Sequence, residues 1–215
     1  MLVVDIETLG LLHTRPLPAI TCVCLYDTET EERHSLLFHK EEEEFLASKE
    51  LLLGLLDGAS HILGYNAMCF DLEYICRFFE VDPERGNGWF LKCVDPYMAL
   101  KCLTGQTARL QVLLTLNNLG SKTGCGANAI HLAESGQWDE LLAYCMEDVL
   151  LTHRLCELEW ILLPDGARMG LRLSAGGGVR WEVERRPAPV RWEEALCPCP
   201  LATLPSEEAA YADSF

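Results

Sequence analysis

The chain has 215 residues, 49% of them apolar, enough for one sizeable domain with a short appendage and for a core that needs no covalent staples. Its formal net charge is −16 with no long basic run, which excludes nucleic-acid affinity resting on whole-chain basicity and makes any such function depend on bound cations, a partner or a short substrate end. No apolar run of about 18 residues exists and Met1 leads straight into apolar Leu2-Val3-Val4, so neither a transmembrane helix nor a secretory signal is expected, and the expected location is intracellular, cytoplasm or nucleus, not secreted.

Residues 2–6 predict a strand, 19–26 a second and 35–39 a third, with polar residues 27–33 turning between the last two, so an antiparallel meander opens the chain. Glu41 to Glu44 starts a helix reaching about Leu56, acids in its first turn suiting the positive end of the helix dipole, and Gly58 ends it. Residues 61–66 read as a fourth, buried strand. Residues 71–80 read as a helix with Leu72, Ile75, Cys76 and Phe79 on one face. Pro83 to Gly88 reads as a loop, residues 90–94 as a fifth strand, and Asp95-Pro96 as the start of a helix.

A short helix over 110–119, ended by Gly120, is followed by a glycine-rich irregular stretch over 121–128. The longest helix runs from Trp138 to about Trp160, with Leu141, Leu142, Cys145, Val149, Thr152 and Leu155 as its apolar stripe. Residues 171–173 and 179–183 predict a hairpin. From about Pro187 the chain is proline-rich and acidic, and a largely disordered tail is expected. Strands first, then strands alternating with helices, predict an α/β fold, a mixed sheet covered by helices. The expected organisation is a domain over 1–162, a small β appendage over 163–186 and a tail over 187–215.

Eleven cysteines are an odd number at irregular spacing without a Cys-x-x-Cys pair, which points to buried thiols in a reducing compartment and away from a disulfide framework. Cys197 and Cys199, in Cys-Pro-Cys-Pro, are placed for a soft metal but have no matching pair at zinc-site spacing.

Three acidic clusters stand out. Asp5-Ile6-Glu7 closes the first strand, and residues two apart share a strand face, so both carboxylates point one way while Ile6 faces the core. The strand's end is also where sites collect in open α/β sheets. Asn66 and, four residues on, Phe70-Asp71 bridge a buried strand and a helix start; alone, Asp71 reads as an ordinary helix N-cap or first-turn residue. Tyr144 and Asp148 lie one helical turn apart on a shared face, and alone they read as a core aromatic and a solvated acid. Taken together, four carboxylates converging at one sheet edge repel one another unless cations neutralise them. Hard oxygen ligands favour Mg²⁺ or Mn²⁺, and a pair of such ions about 4 Å apart serves in-line displacement at phosphorus.

This order and spacing resemble the DEDDy 3′-5′ exonucleases of the ribonuclease-H-like superfamily, which carry four acidic ligands and a tyrosine. Asp5-Ile6-Glu7-Thr8 looks like the first motif, Asn66 with Phe70-Asp71 like the second motif of family B DNA polymerase proofreading domains, and Tyr144 with Asp148 like the third. The sister group has histidine five residues before the last acid; here that position is Ala143. Asp95-Pro96-Tyr97, the 110–119 segment and Gly120-Ser-Lys122-Thr-Gly124 are similar to stand-alone or helicase-linked members, so the resemblance covers roughly residues 1–160.

The resemblance implies a ribonuclease-H-like mixed central sheet flanked by helices with a short C-terminal β appendage. It implies hydrolysis at a nucleic-acid 3′ end, DNA ahead of RNA, with two Mg²⁺ or Mn²⁺. Asp5, Glu7 and Asp148 would hold one ion that activates water, Asp5 would bridge to the second, and Asp71 would lie near it or act through water. Tyr144 would orient the water or phosphate. Thr8, Leu9 and Phe70 would touch the terminal nucleotides, Asn66 would bond substrate or hold Asp71, and Lys122 would meet a phosphate or stand solvated. The cations available for substrate are few: Lys92, Lys101, Arg109, Lys122 and Arg154. A helicase, polymerase or other protein partner fits this thin basic surface, and no membrane is implied. The alternatives are an RNA-directed exonuclease and a catalytically silent nucleic-acid-binding or scaffolding module.

Overall fold

The computed structural model describes residues 1–39, 41–122, 126–173 and 178–184. The expectations for the chain from Pro187 onward, Cys197 and Cys199 included, lie outside these residues. The fold is mixed α/β, a central sheet flanked by helices plus a separate small antiparallel sheet. The described residues divide into two compact units, one of residues 1–39, 41–95 and 126–150, the other of residues 96–122, 151–173 and 178–184.

The first unit holds a five-stranded sheet. β1 (Leu2–Thr8) pairs antiparallel with β2 (Ile20–Asp27), and β2 antiparallel with β3 (Arg33–Leu37), which is the expected meander. On its other side β1 pairs parallel with β4 (Ile62–Leu63), and β4 parallel with β5 (Cys93–Val94), giving the order β3-β2-β1-β4-β5. The helices of this unit are α1 (Glu42–Gly58), α2 (Asp71–Phe78), α3 (Pro83–Leu91), α6 (Gly126–Glu134) and the first part of α7 (Trp138–Glu157). Its core joins Val4 and Ile6 of β1, Val23 and Leu25 of β2, Leu52 and Leu56 of α1, Leu72 and Ile75 of α2 and Trp89 of α3.

Several elements differ from expectation for identifiable reasons. The segment expected as a loop over 83–88 is helix α3. Asp82 caps it by accepting the N–H of Glu84 at 2.9 Å and of Arg85 at 3.3 Å, and Pro83 sits at the first helical turn with its φ already suited. Gly86 and Gly88, each costing about 1 kcal/mol in a helix, are outweighed by the burial of Trp89. That helix takes residues 90 and 91 from the expected fifth strand, leaving only Cys93–Val94. The fourth strand is also short. At Gly64 a Cβ would lie 2.6 Å from the Ala67 Cβ and 3.0 Å from the Val4 carbonyl oxygen, so only glycine lets the chain pass this close to β1. Two residues on, Asn66 enters the left-handed region at φ 65° and the strand is over.

Helix α3 is fastened to α1 by Asp57. Its carboxylate accepts from Arg85 Nη2 at 2.6 Å and Nε at 3.0 Å, and from the indole N–H of buried Trp89 at 2.8 Å. Asp57→Ala should destabilise the fold by about 1–3 kcal/mol, chiefly because the Trp89 donor loses its acceptor. The Arg85 guanidinium holds Asp57 below the usual carboxylate range. A depressed folded-state value means a contribution present above the ordinary carboxylate range and lost as pH falls through the folded value. Urea midpoints of wild type and Asp57→Ala should therefore lie further apart at neutral pH than in acid, where the protonated carboxyl still accepts from Trp89; a constant gap at all pH values would contradict this.

The second unit holds α4 (Pro96–Thr104), α5 (Leu110–Leu116) and the last part of α7, followed by β6 (Ile161–Leu162), β7 (Arg168–Leu173) and β8 (Val179–Glu184). β7 and β8 pair antiparallel as the expected hairpin, and β6 adds a third strand too short to show a period in sequence. The Asn117 side chain fixes β6, accepting the Leu162 N–H at 2.7 Å and donating to the Leu162 carbonyl at 3.0 Å. Arg168 and Arg172 both lie over the Trp160 ring, at 5.1 and 4.5 Å from its centroid. Among the described residues no helix is long and apolar enough to cross a membrane.

Candidate metal centre

β1 delivers two acids by strand alternation. Val4 and Ile6 are buried in the core, while Asp5 and Glu7 between and beyond them are only half-buried. The register of β1 on β2 slips between Glu7 and Thr8, which pair with Cys22 and Ile20, leaving Thr21 as an extra residue whose hydroxyl donates to the Glu7 carbonyl at 2.9 Å. A bulge of this kind bends the strand end and re-aims the side chains beside it.

Helix α7 supplies the third acid. Tyr144 and Asp148 are both buried and stand one turn apart. The helix is seated on the sheet by sulfur contacts: Cys145 Sγ donates toward the Asp5 carbonyl at 3.4 Å and Asp5 Oδ2 at 3.5 Å, and Cys24 Sγ toward the Leu142 carbonyl at 3.6 Å. Complete burial pushes the Cys145 thiol well above its usual range, so it meets Asp5 as a neutral donor. At the start of the helix the Trp138 ring stacks on His39, centroids 3.6 Å apart.

Carboxylate oxygens of Asp5, Glu7 and Asp148, one from each, all lie within 4.8 Å of one another. Three carboxylates this close, with Asp148 at only 3% exposure, are the donor set a hard divalent cation takes, and a cation there would offset the repulsion between them.

Asp71 stands differently. It is the first residue of α2, 3% exposed, and its Oδ1 accepts the N–H of Ile6 at 3.0 Å, between Asp5 and Glu7 on β1. It is tied to the strand that carries two of the acids but is not one of the three whose oxygens cluster.

Of the other residues singled out in the sequence, Thr8 is buried and its hydroxyl donates to the Gly10 carbonyl at 2.7 Å. Leu9 is 43% exposed just past the strand end. Phe70 packs edge-on to Tyr74, centroids 5.4 Å apart. Asn66 is buried at its left-handed turn. Lys122 belongs to the second unit, where its N–H donates to Gln111 Oε1 at 2.6 Å. Gly124 of the glycine loop lies outside the described residues. Lys92, counted among the cations available for substrate, is fixed by the carbonyls of Asp57 and Ala59, both at 2.8 Å, and stands where β5 begins, whereas Asp5 and Glu7 stand where the parallel strand β1 ends.

One residue was missed. Asp95, directly after β5, is buried, and its two oxygens accept the N–H groups of Asn66 and Met68, each at 3.0 Å. It thereby holds the turn that ends in Phe70-Asp71. The available signal was an acid closing a strand of a parallel set, the position already given weight for Asp5 and Glu7.

A family model of the RNase H superfamily matches residues 2–120, a span that carries Asp5, Glu7, Asn66, Asp71 and Asp95 and ends before α7. No curated protein matches the chain.

Proposed function

The chain belongs to the RNase H superfamily, and from that premise we propose that it is a divalent-metal-dependent 3′-5′ exonuclease of the DEDDy group, hydrolysing phosphodiester bonds at a single-stranded DNA 3′ end. The observation that carries this reading is the gathering of Asp5, Glu7 and Asp148 oxygens within 4.8 Å at the end of the central strand. Two Mg²⁺ or Mn²⁺ ions would supply Lewis-acid stabilisation of the phosphoryl oxygens and an acidified water.

In this reading Asp5, Glu7 and Asp148 hold the ions. Asp71 fixes the β1 backbone through Ile6 and would be the further carboxylate available to a second ion. Tyr144, one turn before Asp148, would hydrogen-bond the attacking water or the scissile phosphate and so orient the attack. Leu9 offers an exposed apolar surface to the terminal base.

The test is release of label from single-stranded DNA and RNA carrying a 3′ or a 5′ label, with Mg²⁺, with Mn²⁺ and with chelator. Metal-dependent loss of the 3′ label first, faster on DNA, is the expected result. Faster loss on RNA reassigns the substrate, and no cleavage with either ion overturns the reading in favour of a binding module. Tyr144→Phe should slow cleavage about tenfold or more while Mn²⁺ affinity stays within about twofold; affinity falling in step with rate would show the tyrosine to be part of the metal site.

A further inference from the structure

We infer that the loop joining β1 to β2, residues 9–19, is the substrate-holding element of this centre and that Arg15 on it contacts a backbone phosphate of the single strand. The inference rests on the exonuclease reading above for the identity of the strand.

The loop leaves the sheet just past the Thr8–Ile20 pair, one residue beyond Glu7. Both of its stems are pinned. Leu9 N–H donates to the Ala19 carbonyl at 3.0 Å, and Thr8 Oγ to the Gly10 carbonyl at 2.7 Å. The hydroxyl of Tyr74, on the same helix as Asp71, donates to the Pro18 carbonyl at 2.9 Å and lies 3.4 Å from that of Gly10. Burial pushes the Tyr74 phenol up to about 12, so it remains a neutral donor across the working pH range. Leu12 and Leu17 pack on the core. One strand end and one helix, the elements that carry Glu7 and Asp71, therefore fix the loop, while Arg15 on it is exposed.

The charges single out Arg15. Its Nη1 donates to the carbonyls of Leu12 at 3.1 Å and Thr14 at 3.0 Å, bonds that order the guanidinium without neutralising it, and it makes no ion pair among the described residues. The other described lysines and arginines of this unit are engaged elsewhere. Arg77 is paired with Glu73, Arg85 with Asp57, Lys49 lies over Phe79 and Lys92 is held by two carbonyls. Arg33 lies over Tyr26, and that pair stands at the level of Val3, at the opposite end of β1 from Glu7. An acidic centre in a chain of net charge −16 repels a polyanion everywhere except where a cation stands. A pre-ordered guanidinium with its remaining N–H groups exposed is the group that matches a phosphate.

The test is fluorescence anisotropy of a labelled single-stranded DNA oligonucleotide on the full chain in Ca²⁺, over a series of salt concentrations, with cleavage in Mn²⁺ measured alongside. Arg15→Gln should weaken binding about five- to tenfold and reduce the slope of log affinity against log salt by about 0.7, the value of one single-strand phosphate contact. Arg15→Lys should keep the wild-type slope. In cleavage, KM should carry the loss and kcat should change less than about twofold. An unchanged affinity and slope in Arg15→Gln, in a protein that cleaves, overturns the contact and leaves the nuclease reading standing. An Arg15-dependent slope in a protein that never cleaves supports the contact and overturns the nuclease reading. Wild type that binds no oligonucleotide overturns both.

Discussion

Asp148→Asn should melt, without metal, at or above the temperature of the wild-type protein, and should lose both metal-induced stabilisation and cleavage. The reason is the crowding of Asp5, Glu7 and Asp148, whose oxygens lie within 4.8 Å of one another. At an effective dielectric of about 20, two unit charges at that spacing repel by a few kcal/mol. Asparagine keeps the shape and removes one of the three charges, so the metal-free protein is relieved of repulsion. The same change takes a charged ligand from the cation. In the wild type, Mg²⁺ or Mn²⁺ at about a hundred times its Kd should add about 2.7 kcal/mol, roughly 5–10 °C in Tm for a chain of this size. In Asp148→Asn the increment should fall to about 1–2 °C. Turnover should drop by about a thousandfold or more, since the acidified water and the phosphoryl clamp go with the ion. Thermal melts with added metal and with chelator check the first part and product release the second. A full metal increment, or undiminished turnover, in folded Asp148→Asn would remove Asp148 from the centre.

What the sequence made legible was local. Strand alternation put Asp5 and Glu7 on the face opposite Ile6, and the helical turn put Tyr144 with Asp148; both are geometric consequences of one element each, and the burial pattern of β1 shows the first of them directly. What it hid depends on contacts between distant residues. Asp71 reads as an ordinary first-turn acid, yet the start of α2 has no side-chain cap, and the carboxylate instead reaches Ile6, 65 residues earlier. Cys145 reads as one more position on an apolar stripe, yet it is the side chain that meets Asp5. Gly86 and Gly88 read as a loop because propensity is local, while Trp89 and Asp57, which decide for helix, meet across 32 residues. The electrostatic difficulty of a net charge of −16 was likewise visible as a total but not as a distribution. Only the pairing of Arg77 and Arg85 with neighbouring acids and the fixing of Lys92 by carbonyls shows which cations of the first unit are already committed.

Asp95→Ala is expected to lower both stability and turnover, by a route that never touches the reacting atoms. Asp95 is buried, and each of its oxygens accepts one backbone N–H, from Asn66 and from Met68. Alanine leaves the buried Asn66 N–H without an acceptor, at about 1–3 kcal/mol, and the partly buried Met68 N–H at less than that. The turn they belong to contains Asn66 at φ 65°, a conformation that persists only while its surroundings hold it. Released, the turn no longer fixes the start of α2, and Asp71 loses its set distance to the Ile6 N–H and thus to the strand carrying Asp5 and Glu7. A displacement of about 1 Å at a metal-assisted centre is worth about a hundredfold in rate. Measured well below its melting temperature, folded Asp95→Ala should therefore show kcat reduced about ten- to a hundredfold. Asp95→Asn, which keeps one acceptor and turns an NH₂ toward the other donor, should fall between. If folded Asp95→Ala turned over at the wild-type rate, Asp95 would serve the fold alone and the turn at 66–70 would not set the position of Asp71.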